Sequence, residues 1–166
     1  MKLYYTVFDS RLGRILVTRT DRGLNNLIFH LPIWGKVFEE LNKRKDIELI
    51  KSESKFTNLK KQLKEYFSGK KIKFREKLDL SSGTPFQQKV WKNMMKIPYG
   101  KTVSYKKLAQ MVGNSRKARA VGSACAKNPL PIIVPCHRII RSDGGLGGYA
   151  GGIERKRRLL RIESGK

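Results

Sequence analysis

SYKKLAQMVGNSRKARAVGSACAK, residues 104–127, decides how the second half of this chain folds. Ser104 can cap a helix, Leu108, Met111 and Val112 would face a core, and Gly113 can end it. Asn114-Ser115 leaves room only for a tight connection before a further helix from about Arg116 to Lys127. Two short helices joined this tightly resemble a helix-turn-helix. Ala118, Val121 and Cys125 share one helical face and are expected to point inward. Arg116, Arg119, Ala120, Ser123 and Lys127 fall on the other face. Small side chains there would let the backbone approach a nucleic acid while the basic ones meet phosphates. An ordinary solvated face reads the same residues equally well.

Working outward, Thr84-Pro85 is a cap followed by a first-turn proline. Phe86, Val90, Trp91 and Met94 then give an amphipathic helix ending before Pro98, with a turn at Ile97-Pro98-Tyr99-Gly100. Downstream, Ile132-Ile133-Val134 reads as a short buried strand leading into Pro135-Cys136-His137-Arg138. A glycine-rich loop spans 144–152, and a last helix is expected over Ile153–Glu163. The loop has no phosphate-binding register. In the first half, Lys2–Phe8 and Arg14–Thr20 read as strands around a turn at Ser10–Gly13, and Leu24–Leu31 as a third strand. Phe56–Phe67 has helical spacing, with Gly69 as its stop; Lys70–Leu80 is charged and then extended. The pattern predicts an α/β N-terminal domain over 1–78, a linker at 79–82, and a mostly α C-terminal domain over 83–166 with a short active-site strand.

Lys and Arg number 37 against 13 Asp and Glu, a formal charge of +24. A polyanionic partner, nucleic acid foremost, accounts for this charge; a Lys-rich surface without a specific partner is the alternative. No apolar run approaches a membrane span, so a soluble, cytoplasmic protein is expected. The two cysteines, Cys125 and Cys136, and the two histidines, His30 and His137, lack zinc-ligand spacing. Neither a metal nor an organic cofactor is expected, and the thiols should be free in a reducing compartment. His30, beside an apolar stretch, is expected to be structural.

Cys136 has His137 beside it and Arg138 next, groups able to lower a thiol pKa. A chance dipeptide with Cys136 in the core is the competing reading. Neighbours on a strand also point to opposite faces, so His137 can help Cys136 only if the chain turns there or a water bridges them. After Gly100 the only acids are Asp143, Glu154 and Glu163. Asp143 sits among glycines as a turn residue. Glu163 shares the face of Leu159 and Leu160 and wants a buried partner. Cys136, His137 and Glu163 thus form a reasonable triad.

Ile133-Val-Pro-Cys-His-Arg-Ile-Ile140 resembles the active-site signature of the O6-alkylguanine-DNA alkyltransferase family. Thr84-Pro85-Phe86-Gln87 with Val90-Trp91, Ile97–Gly100, Ser104-Tyr105, Arg119–Gly122, Asn128-Pro129 and Gly147-Gly148-Tyr149 match in the same order, so the resemblance covers about 83–163. It implies a ribonuclease-H-like first domain and a winged-helix-like second one. It implies that Cys136 accepts the alkyl group, that His137 takes the thiol proton through a water, and that Glu163 orients His137. Asn128 would tie the recognition helix to the active-site strand. Tyr105 would press on the phosphate beside the lesion and protonate the leaving guanine.

The resemblance also implies that Arg119 enters the duplex from the minor groove, with Ala120, Ser123, Arg116 and Lys127 along the DNA. Tyr149, Val134, Ile139, Ala150 and Gly151 would surround the flipped base. The expected substrate is double-stranded DNA carrying O6-alkylguanine. Repair would be stoichiometric and irreversible, by a monomer in solution whose clustering on DNA stays open. In a prokaryote the protein would be nucleoid-associated. Ala150 and Cys125 stand where some relatives have serine and methionine, and Cys125 is expected to be packing. A non-catalytic lesion-recognising protein, a transcription factor and a thiol hydrolase are the alternatives. Cys136, the small residues of the third helix, and the basic charge argue against each in turn.

Overall fold

The computed structural model describes residues 1–29 and 31–165, so His30 lies outside the described residues. The chain forms two compact units, Met1–Leu80 and Ser81–Lys166.

In the first unit, β1 (Lys2–Ser10), β2 (Gly13–Thr20) and β3 (Gly23–Ile28) form an antiparallel meander. Helix α1 (Leu31–Lys43) then carries the chain to β4 (Glu48–Lys51), which pairs parallel with β1, giving the order β3-β2-β1-β4. A parallel neighbour needs such a crossover. Ile15, Leu16, Val17 and Thr18 are buried in succession on β2, as expected of a central strand covered on both faces. Helix α2 (Thr57–Phe67) adds Leu59, Leu63, Tyr66 and Phe67 to this core.

The two elements absent from the sequence reading have physical reasons to be faint. Pro32 and Gly35 interrupt the periodicity of α1, and the four residues of β4 show no alternation of burial. Residues 77–79 are held to the first unit. Leu24 N donates to Lys77 O at 2.8 Å, and Asp79 N donates to Leu24 O at 2.7 Å. Gly23, at φ +148°, makes this approach possible, since a Cβ there would lie 2.4 Å from Lys77 O.

The second unit is mostly helical. Helix α3 (Pro85–Met94) starts in a capping box, with Thr84 and Gln87 each accepting from the other's backbone N–H. Strand β5 (Val103–Ser104) leads into α4 (Tyr105–Val112), which ends at Gly113 in the left-handed region. A 3-10 turn at Ser115–Lys117 precedes α5 (Ala118–Ala126), so the expected third helix begins as this turn. Helices α3, α4 and α5 bury Val90, Trp91, Met94, Leu108, Val112 and Val121 together. The Trp91 indole N–H donates to Ala124 O at 2.8 Å.

The short strand near the cysteine is present but displaced. β6 (Ile139–Ile140) follows Cys136 and pairs parallel with β5. Residues 132–134, expected to be that strand, form a turn bridged between Pro131 and Val134. Ile132 has φ +76°, a conformation that excludes an extended strand and costs a β-branched residue of order 1–3 kcal/mol. Burial of the run, not extension, explains its apolar character. Helix α6 (Ile153–Ser164) completes the unit.

Candidate active site

Cys136, His137 and Arg138 form a single 3-10 turn. The backbone therefore does turn at the cysteine, and the objection that strand neighbours face apart does not apply. Cys136 is 9% exposed and lines a cavity of about 330 Å3 with Tyr105, Gly122, Cys125, Ala126, Gly148, Tyr149 and Ala150. Among the pocket residues expected from sequence, Tyr149 and Ala150 form the wall. Gly151 lies under the Tyr149 ring, where a Cβ would come within 2.8 Å of it. Val134 and Ile139 are fully buried and outside the cavity lining, and present their carbonyls to Asn128 and Lys156.

Asn128 joins α5 to the cysteine turn. Its Nδ2 donates to Val134 O at 2.7 Å and to Cys136 Sγ at 3.1 Å, while its Oδ1 accepts from Leu130 N at 3.0 Å. Burial pushes the Cys136 thiol up; the Asn128 hydrogen bond and the Lys156 charge oppose that rise. Cys125 lacks the amide contact, and burial pushes it up to about 12. Its Sγ lies 3.6 Å from Met94 Sδ, in line with a packing role.

His137 is fully buried, with Nε2 2.7 Å from Glu163 Oε1. Glu163 also accepts from Arg138, Nε to Oε2 at 2.9 Å and Nη2 to Oε1 at 2.9 Å, and from Gly100 N at 3.0 Å. Burial pushes the Glu163 carboxyl up, but hydrogen bonds from His137 and Arg138 override it and hold the group well below the usual carboxylate range. Burial pulls His137 down, against Glu163. Burial favours the neutral ring, whose Nε2–H then donates to the carboxylate. Its other nitrogen, Nδ1, keeps the lone pair a base needs. Gly100 is required at φ +74°, because a Cβ would lie 2.9 Å from Glu163 O.

Arg138 differs from its sequence reading. It turns from the thiol to pair with Glu163 and donate to Ile97 O at 2.6 Å. Lys156 was missed altogether, although it lies three residues before Leu159 and seven before Glu163, on one helical face. A lysine on the apolar face of a helix was the available signal.

Tyr105 is half-buried on α4, and burial followed by the two nearby thiols raises its pKa. The Tyr149 hydroxyl is buried beside Cys136, and its pKa is raised well above the ordinary value by burial and by the Cys136 thiol. Arg116, Arg119, Ala120, Ser123 and Lys127 are all exposed, on α5 and its flanks. Val121 and Cys125 point inward as expected, while Ala118 is only partly covered.

This site carries a resemblance that the whole chain shares. Residues 3–80 match the ribonuclease-like domain of 6-O-methylguanine DNA methyltransferase, and residues 85–165 match its DNA-binding domain. The methylated-DNA–protein-cysteine methyltransferase of Methanosarcina barkeri is 42% identical over 165 residues, covering 97% of each chain. That of Mycobacterium tuberculosis is 39% identical over 164 residues, covering 99% of this chain and 94% of its own. The M. tuberculosis OGT solved in complex with DNA superposes with a TM-score of 0.83 at 39% identity, over 99% and 94% of the two chains. The O6-methylguanine-DNA methyltransferase of Pyrococcus kodakaraensis gives 0.68 at 26% identity, over 97% and 98%. By both of its domains and by its full-length relatives, the chain belongs to the 6-O-methylguanine DNA methyltransferase family.

Proposed function

We propose that this protein repairs O6-alkylguanine in double-stranded DNA by moving the alkyl group onto Cys136. The observation that carries the reading is one buried array: the Asn128 amide on the Cys136 sulfur, His137 in the same turn, and Glu163 on His137.

The target base must leave the duplex to reach a thiol inside a cavity, at a cost of a few kcal/mol. Arg119, exposed at the start of α5, enters the duplex and fills the space left by the guanine. Ala120 and Ser123 let the helix approach the minor groove, and Arg116 and Lys127 contact phosphates. Tyr105 presses on the phosphate beside the lesion and, with Tyr149, Ala150 and Gly151, borders the base.

The Cys136 proton passes to His137 Nδ1 through a water, and Glu163 holds the ring in the tautomer that accepts it. The thiolate attacks the alkyl carbon, an S–C bond forms, and the C–O6 bond breaks with its electron pair going to guanine. Tyr105, kept protonated by its raised pKa, supplies the proton that guanine takes up. The thioether is stable, so each molecule acts once.

The test is intact and peptide mass spectrometry after mixing the protein with a duplex holding one O6-methylguanine. One methyl per molecule, on the Cys136 peptide, is expected. Methyl on Cys125 would move the acceptor, and tight binding without methyl would favour a non-catalytic lesion sensor.

A further inference from the structure

Lys156 takes no part in the reaction just described, yet it is fully buried. Its ammonium donates to Ile139 O at 2.5 Å, to Gly148 O at 3.3 Å and, more closely, to Leu146 O. Three N–H donors thus meet three carbonyls, one from β6 and two from the glycine loop. The hydrogen bonding is satisfied, but carbonyls do not neutralise the charge. A buried ammonium without a counter-charge is costly, by several kcal/mol.

The neighbouring ionisable groups narrow what could balance it. Glu163, two turns along the same helix, is held by Arg138 and His137. Burial pulls His137 toward its neutral form and raises the Tyr105 and Tyr149 phenols. Arg138 and Arg155 are themselves cations, and the Cys125 thiol is pushed up to about 12. The ammonium favours ionisation of both thiols, and of the two Cys136 is the one whose sulfur also accepts from the Asn128 amide. The coupling is mutual: burial pulls Lys156 down, and Cys136 and then Cys125 push it back up.

We infer that Lys156 is a positioning residue for Cys136: its ammonium pins the glycine loop that carries Tyr149 and Ala150 against β6, and it places a positive charge on Gly148, which lines the cavity with Cys136. The inference deepens the alkyl-transfer reading and rests on Cys136 being the acceptor. Without the ammonium, three carbonyls lose their donors and the thiolate loses a favourable charge. Loss of packing alone would loosen the loop but would not move the thiol titration.

The test is the pH dependence of Cys136 carbamidomethylation by iodoacetamide, read on the Cys136 peptide of the full chain. Iodoacetamide needs neither DNA nor a modified guanine, so failure of methyl transfer from O6-methylguanine would leave this readout standing. Lys156→Met should move the half-maximal pH up by about one unit, equivalent to about tenfold slower labelling on the low-pH side. Lys156→Arg should bring it back toward the parent value. An unchanged profile in folded Lys156→Met would overturn the inference. A second measurement does not depend on that variant folding. NMR titration of the Lys156 Nζ in the parent protein and in Cys136→Ser should show a lower lysine pKa once the ionisable sulfur is gone. An identical titration in the two proteins would refute the coupling.

Discussion

The two units of this protein bury polar groups in different ways. Residues 1–80 enclose Thr6, Thr18, Thr20 and Asp79, mostly hydroxyls satisfied by one side-chain bond each. Thr6 meets Glu53 at 2.6 Å, Thr18 meets Asn25 at 2.6 Å, and Thr20 meets Asp79 at 2.7 Å. Residues 81–166 enclose His137, Arg138, Lys156 and Glu163, four groups able to carry full charge. Ten of the chain's 13 acidic residues fall in 1–80, so the second unit buries one of its only three acids. Ionised groups are costly to take out of water, so a cluster of them marks where chemistry rather than stability has shaped a core. The first unit is a packed scaffold by this criterion, and the second holds the reactive site.

The largest expected effect breaks the comparison at its centre. Cys136→Ala should abolish methyl transfer while keeping DNA binding, as measured by mass spectrometry and by gel shift on one duplex. Residual transfer would show that the buried charges of the second unit serve another acceptor.

Next, Glu163→Gln should destabilise the protein by about 3–5 kcal/mol in urea unfolding, because it strips a buried Arg138 of its carboxylate. Asp79→Asn should cost less, about 1–3 kcal/mol, since its Arg22 partner is largely exposed. Equal losses would erase the contrast between the units.

The depressed Glu163 pKa sharpens the same point through pH. A carboxyl whose folded pKa lies below its unfolded value, ordinarily about 4.3, adds stability that is present above that value and lost as pH falls through the folded pKa. Stability should therefore decline in acid below about pH 5, and Glu163→Gln should flatten that decline. A decline unchanged in the variant would assign it to other carboxyls.

Arg119→Ala should slow repair in duplex DNA by about tenfold, ~1.4 kcal/mol, more than it slows transfer from free O6-benzylguanine. Equal slowing on both substrates would remove the role in filling the duplex. The smallest effect belongs to the α3 cap: Thr84→Ala should cost about 1 kcal/mol in urea unfolding and leave transfer per folded molecule unchanged.

Much of the second unit was legible because its signals are local. Thr84-Pro85, Ser104 and Gly113 mark helix ends through bonds to residues a few positions away, and the structure has the ends there. Cys136, His137 and Glu163 were named from residue type and helical face, and the geometry brings His137 and Glu163 into contact. The first unit was less legible. Helix α1 is interrupted by proline and glycine, and β4 is defined by its pairing with β1 rather than by its own pattern. Ile132–Val134 misled because apolar content reports burial, and a buried turn carries the same residues as a buried strand.

The amino-acid sequence by itself determined the start of α3, both ends of α4, the basic and small face of α5, and the few residues able to do chemistry. Each of these depends on spacing along the chain and on side-chain type. Tertiary structure decided which charges meet. Arg138 turns to Glu163 instead of the thiol, Asn128 reaches the sulfur, and Lys156 finds three carbonyls from two separate segments. Those partners come from segments up to 41 residues apart, as for Arg138 and Ile97. No local periodicity encodes such pairings, because burial and satisfied hydrogen bonding select them only once the chain has closed on itself.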